Sequence, residues 1–261
     1  MEKIKGFSGS TIKIIAVVAM IIDHIGRGIW YRLPGFGLIV PEMMDMETWW
    51  FVYRTMRNIG RIAFPIFCFL LVEGFFHTRS NLKYFSRLLI FALISQLPYY
   101  YAFLELEEGT NVLFTLFIGL AAIWAMDATK QRCEKKPFRW NACIIYLSVW
   151  TLIVASACGL AFILNTDYDY KGILLIVVLY VFHNNRLVAL VTGYFSFKLA
   201  MFYSSTFVGG FLKYLGADYY FPGFIVSYFY NGKRGLKLKY VFYLIYPVHL
   251  VLIYMTWNYL V

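Results

Sequence analysis

Apolar runs approaching twenty residues follow one another along this chain, separated by short polar stretches. A bilayer core of about 30 Å takes roughly 17 to 25 such residues per helix. A transmembrane barrel would show alternating strands of about ten residues, and these runs do not alternate. Only 15% of the residues are charged, against about a quarter in a soluble domain, and 61% are hydrophobic, too many for a water-soluble core of this size to hide. The expected fold is all-α: a polytopic transmembrane helical bundle of about nine helices, forming one domain over residues 1–261.

Polar punctuation sets the expected helices at 11–30, 59–76, 84–104, 111–127, 140–163, 172–183, 187–208, 218–230 and 240–260. The sixth and eighth are short for a span, which a bundle tolerates where neighbours shield them. Between the first two lies the longest stretch read as non-helical, Tyr31 to Asn58. Its Trp49, Trp50, Phe51 and Tyr53 suit a lid or an interfacial surface helix. The first run resembles a signal peptide in its flanking lysines, but it lacks a small-residue cleavage site and holds Asp23, His24 and Arg27. It reads as a retained helix.

Lysine and arginine collect on the cytoplasmic side of short loops. With the N-terminus inside, sixteen of the twenty-four basic residues fall there, among them Lys3, Lys5, Lys13, Arg79, Lys83, Lys135, Lys136, Lys233 and Lys237. The opposite side collects Glu42, Asp45, Glu47, Glu105, Glu107, Glu108, Asp167 and Asp169. The expected location is the cytoplasmic membrane, with the lipid bilayer as the first partner. A net charge of +10 parcelled between helices in this way is a topological signal and does not indicate nucleic acid. Cys68, Cys133, Cys143 and Cys158 form no close pair and mostly lie in apolar runs. They suit packing, not disulfides or a metal, and no metal site is expected.

Ionisable groups within membrane helices normally face a partner or a wet cavity. Lys13 and His24 are eleven residues apart, within about 20° of three whole turns, so they share one face of the first helix, with Arg27 a turn further on. Asp23 points elsewhere but reaches Arg27 at the i, i+4 spacing. His24 is then a base or nucleophile in a polar cavity, since imidazole titrates near neutrality, or else part of a polar helix end bathed by interfacial water. Arg57 with Arg61, and Glu73 with His77, repeat the i, i+4 spacing and suit an anion or polar substrate. Headgroup contacts for the arginines and plain surface placement for His77 are the alternatives. Gln96, Asn111, Thr115 and His249, the last following the helix-breaking Pro247, are polar groups at depth that also suit helix-helix hydrogen bonds. His183 reads as part of a cytoplasmic turn, and Asp167, Asp169 and Lys171 as a solvated loop.

The runs KIIAVVAMIIDHIG from Lys13, RNIGRIAFPIF from Arg57, EGFFHTR from Glu73, NVLFTLFIGL from Asn111 and YPVHL from Tyr246 resemble the TraX family. Members of that family include a conjugation protein that N-acetylates pilin, so the resemblance implies an acyltransferase. The spacing of Lys13 and His24 is also similar to family-3 membrane acyltransferases, whose first helix carries an arginine, ten residues and a histidine. Lysine keeps that charge but loses the planar fork. These resemblances imply His24 as the catalytic group, tuned by Asp23 through Arg27. Arg61 is then a candidate to stabilise the oxyanion, with Lys13, Arg57, Glu73, His77, Asn111 and His249 as substrate or cofactor contacts.

The implied donor is acetyl-CoA or another acyl-CoA, and the acceptor an amine or hydroxyl of a peptide, pilin-like protein, glycan or small molecule. His24 would deprotonate the acceptor or carry the acyl group itself. A transporter lined by the same charges, and a non-catalytic assembly partner of pili or envelope proteins, are the rival readings; transporters often carry paired repeats, and none is visible here. The charge bias makes one direct prediction. Single-cysteine labelling in intact cells should find positions 135 and 237 protected and positions 47 and 107 accessible, and access to position 107 only after lysis would reverse the orientation.

Overall fold

The computed structural model describes residues 6–37, 44–103, 109–134, 140–204, 219–236 and 239–261. The helices are α1 (Gly9–Gly28), α2 (Met46–Gly60), α3 (Ala63–His77), α4 (Asn81–Ala102), α5 (Val112–Glu134), α6 (Trp140–Ile163), α7 (Asp169–Val181), α8 (Arg186–Ser204), α9 (Phe221–Tyr228) and α10 (Lys239–Leu260), with a 3₁₀ turn at Trp30–Phe36. Among the described residues there is no strand, only two isolated bridges. α2 and α3 run on as one rod, Met46–His77, interrupted at Arg61 and Ile62, which leaves nine helices among the described residues. Pro65 accounts for the interruption: it has no N–H for the Arg61 carbonyl one turn back, and its ring crowds that carbonyl.

Of the two readings of the Tyr31–Asn58 stretch, a lid or a surface helix, the helix holds for residues 46–58, and it runs on through the start expected at residue 59. α2 is in fact a two-faced helix that buries Trp49 and exposes Phe51. Asp45 caps it, its carboxylate accepting from the Thr48 N–H at 2.8 Å and the Thr48 hydroxyl at 2.7 Å. Those bonds hold the Asp45 carboxyl below the usual carboxylate range.

Among the described residues four helices are long and apolar enough to cross a membrane: Met46–His77, Val112–Cys133, Ile144–Ile163 and Tyr240–Leu260. α10 shows what such a helix does here. Val241, Leu244, Val248, Leu252 and Met255 form an exposed apolar stripe, while Tyr246, Leu250, Ile253 and Trp257 are buried on the other side. A water-facing helix would carry polar residues on the first stripe. α6 exposes Ile144, Ile145, Leu147, Leu152, Phe162 and Ile163 in the same way, as a lipid-facing surface requires.

The chain divides into two compact units. The first comprises residues 1–70, 93–108 and 215–261. In it α1 packs along α2 and against α10. Small residues allow the close approach: a Cβ on Gly26 would press on Met56, one on Gly28 would enter Ile253, and one on Gly60 would enter the Asp23 side chain. Trp30 and Trp49 each donate an indole N–H to the other's backbone carbonyl at 3.2 Å, closing the α1/α2 pair. The start of α1 is clasped by the turn before α10, where the Gly9 and Ser10 amides donate to the Lys233 and Arg234 carbonyls and the Ser10 hydroxyl accepts from the Leu236 amide. Gly235 has φ +72 beside the Ser8 and Ser10 hydroxyls, leaving no room for a side chain.

The second unit comprises residues 71–92 and 109–214. Its centre is α7, thirteen residues packed against α5, α6 and α8 with Ile173, Leu175, Ile176 and Leu179 almost wholly enclosed. Enclosure explains how so short an apolar helix persists at depth. The region read as a solvated loop is bonded: the Asp167 amide donates to the Thr110 carbonyl, and the Thr115 hydroxyl donates to the Asp167 carbonyl. Cys68 is buried, Cys158 half-buried and Cys133 exposed, so packing describes only the first two. The expectations for Lys3, Lys5, Glu42, Glu105, Glu107, Glu108, Lys135, Lys136, Lys237 and the Cys143 side chain lie outside the described residues.

Close packing at Gly60 makes a stability prediction. Gly60→Ala should destabilise the purified protein by about 1–3 kcal/mol, because the added methyl displaces Asp23. Gly159→Ala, a helical site with open space around it, should change stability by no more than about 1 kcal/mol. Thermal midpoints in detergent compare the two, and equal midpoints would remove the close contact.

Candidate active site

Asp23 and His24 are neighbours in α1, so their side chains diverge by about 100° and reach different helices. Asp23 turns to α2, where its carboxylate accepts from the Arg57 guanidinium at 2.7 Å, with both side chains 18% exposed. Gly60 makes room for that carboxylate. Pairing across two helices is a partner that spacing within α1 does not reveal. Arg27, half-buried, occupies the last turn of α1.

His24 turns to α10. Its Nδ1 lies 2.7 Å from Nε2 of His249, the two rings nearly parallel at 17°. Phe103 packs edge-on against His24 at 5.2 Å, and Tyr246 at 6.2 Å. His249 is buried, and its Nδ1 is 2.7 Å from the Ile245 carbonyl.

That last contact fixes the protons. A carbonyl only accepts, so Nδ1 of His249 carries a hydrogen and, in a neutral ring, Nε2 is the acceptor. Nδ1 of His24 must then be the donor, which leaves the lone pair of a neutral His24 on Nε2. The bonds run Ile245 carbonyl, His249, His24, and they present Nε2 of His24 as a base. Orientation of one imidazole by a second hydrogen-bonded group is the arrangement that activates histidine bases generally.

Lys13 lies 5.1 Å from the Phe242 ring, so it too reaches α10, at the other end of α1. Arg61 donates to the Tyr220 hydroxyl at 2.6 Å and sits over that ring. It also lines an open cleft of about 420 Å³ with Tyr53, Arg54, Arg57, Asn58 and Tyr219. Arg54, Arg57 and Arg61 are three and four residues apart, a stripe on one face of a helix. Sequence reasoning missed Arg54 because it began that helix at residue 59, and a helix started at Asp45 would have aligned all three. Phe103, Tyr246 and Tyr220 carried no polar signature at a recognisable spacing.

Glu73, His77 and Asn111 belong to the second unit. The Glu73 carboxylate lies 3.1 Å from Nε2 of His183 and 3.8 Å from Nδ1 of His77, which is 66% exposed. His183 also stacks on Phe76 at 3.8 Å. Asn111 is fully buried; its amide donates to the Ala92 carbonyl and its oxygen accepts from the Leu113 amide. Those bonds tie the start of α5 to α4. Among the described residues no group of three or more histidines, cysteines or carboxylates is placed to hold a metal.

Fold and site together define a polytopic helical membrane protein with a paired-histidine polar centre. The chain belongs to the TraX family, whose sequence profile, described as TraX protein, matches residues 8–256. It is 28% identical, over 95% of its length and 94% of the relative's, to a probable fimbrial assembly protein, FimC of serogroup H1, from Dichelobacter nodosus. It is also 31% identical to the uncharacterized protein RP591 of Rickettsia prowazekii (strain Madrid E), over 54% of this chain and 48% of that one. No solved structure matches it.

The bond order around His24 is measurable. Nitrogen NMR of histidine-labelled protein at a pH where both rings are neutral should show His24 protonated on Nδ1 and bare on Nε2. His249→Ala should move that tautomer towards the mixture of an unconstrained imidazole. A His24 found protonated on Nε2 would contradict the relay.

Proposed function

We propose that this protein is a membrane-bound acyltransferase that moves an acyl group, acetyl in the first instance, from acyl-CoA to an amine or hydroxyl on a pilus-linked or envelope acceptor. The relay that leaves Nε2 of His24 as a base carries the reading. The match to a family that includes a pilin N-acetylase supports the chemistry, and the likeness to a probable fimbrial assembly protein of Dichelobacter supports the class of acceptor. The charge bias supports the cytoplasmic membrane with the N-terminus inside.

In this reading Nε2 of His24 takes the proton from the acceptor nitrogen or oxygen as that atom attacks the thioester carbonyl carbon. The tetrahedral intermediate collapses with cleavage of the carbon–sulfur bond, and the thiolate of coenzyme A leaves with the proton that His24 held. While His24 carries that proton its Nδ1–H still donates to His249, and the positive charge is shared towards the Ile245 carbonyl. Asp23, bonded to Arg57, holds α1 against α2 and so fixes where His24 stands; it acts as a positioning residue.

Transfer of labelled acetyl from acetyl-CoA to envelope fractions of cells lacking the protein tests this. His24→Gln should fold, and should lower transfer by about 10² to 10⁴. His183→Gln, which belongs to the other unit, should leave it unchanged. A folded His24→Gln protein that keeps more than about a tenth of the rate, a deficit of only about 1.4 kcal/mol, would sink the assignment. Proteoliposome flux of a solute through a protein that releases no thiol from acetyl-CoA would instead support transport.

A further inference from the structure

We propose that the cleft along α2 is a binding site for a phosphate-bearing ligand. Its lining holds three guanidinium groups, two phenols and a carboxamide, and no carboxylate among the described residues. All of these can donate hydrogen bonds, which makes the wall complementary to an oxyanion. The volume of about 420 Å³ is at the lower end of ordinary ligand sites, which run from about 300 to 1,000 Å³. It accommodates a headgroup or a diphosphate. The proposal stands on the chemistry of the cleft and holds whether or not the histidine pair performs transfer.

Arg54, Arg57 and Arg61 lie on successive turns of one helix, where like charges three or four residues apart repel one another. The Asp23 carboxylate accepts from Arg57, and Arg54 and Arg61 lie over the Trp50 and Tyr220 rings. An anion bound between the three relieves their repulsion. From Arg54 to Arg61 the rise is about 10 Å along the axis, more than one carboxylate bridges and suited to a ligand with several acceptor oxygens. Arginine favours this chemistry because its planar fork matches phosphate oxygens. Arg57 is shared between the cleft and the α1/α2 contact, where it donates to Asp23.

Inorganic pyrophosphate is the probe, titrated calorimetrically into the full chain in phosphatidylcholine nanodiscs at low salt. One saturable site is expected, weakening as salt shortens the screening length from about 10 Å at 0.1 M to about 3 Å at 1 M. The double variant R54Q/R61Q should bind at least about tenfold more weakly, while K233Q/R234Q in the basic turn and His24→Gln should bind as the unaltered protein does. If the double variant does not fold, Arg54→Gln alone, at an exposed position, should weaken binding at least about threefold. Competition by coenzyme A, or by phosphatidylglycerol in place of phosphatidylcholine, then identifies whether a coenzyme or a lipid headgroup supplies the phosphate. No saturable binding to folded protein, or binding that the arginine variants leave unchanged, overturns the proposal. Neither result bears on acyl transfer by His24.

Discussion

The contact of α1 with two helices at once governs the first unit. In hydrocarbon a polar side chain has no water to fall back on, so Asp23 and His24 are tolerable only if each finds a partner within the protein. Adjacent positions on one helix cannot share a partner, and the fold meets this by placing α2 on one side of α1 and α10 on the other. Glycines at 26, 28 and 60 bring the backbones close enough for short side chains to span the gaps. Loss of one partner would leave a charged group unsatisfied, at a cost of about 1.5–3 kcal/mol for a hydrogen bond to a charge. Polar pairing and close packing are therefore one requirement seen from two sides.

The same pairing gives the site its chemistry. A lone imidazole at depth would be free to carry its proton on either nitrogen. Anchoring His249 to the Ile245 carbonyl removes that freedom one ring at a time, and for neutral rings it leaves the lone pair of His24 on Nε2. Pro247, two residues before His249, has no N–H for the carbonyl of Tyr243 four residues back, so the helix is locally weakened where the ring must be positioned. Phe103 and Tyr246 pack edge-on against His24, which stays half-buried.

Much of this was legible in the sequence because membrane helices announce themselves by length. The first, third, fifth, sixth, seventh, eighth and last expected helices fall within a few residues of the observed ones at the ends that are described, whereas the fourth, expected to end at 127, runs on to Glu134. α2 was legible only as one of two readings, a lid or a surface helix, because its polar residues suit a loop as well, and its continuity with the next helix was not seen. Periodicity placed Lys13 and His24 on a common face, and both do reach α10. It said nothing about which helix that face meets, because a helix carries no record of its neighbours. The Asp23 to Arg57 bond and the His24 to His249 pair join residues 34 and 225 positions apart, and no local rule reaches across such distances. His249 stood out only as a polar residue after a proline, and Arg54 was hidden by the misplaced start of its helix.

Charge in the first unit is sorted by access to water. Where α1 meets α2, Asp23 and Arg57 are each 18% exposed and bonded to one another, so the pair contributes no net charge to a region of low dielectric. The histidine pair, neutral when its relay is intact, likewise adds none. Cationic charge also gathers where the α2 surface opens: Arg54 is exposed, and Arg61 lines the same cleft. Exposure to solvent there lowers the cost of the charge. A transport path would need charge and water to continue through the bundle. Among the described residues the polar chain from His24 ends at the Ile245 carbonyl on α10, and the proposed transfer asks no more of it than a proton held at His24.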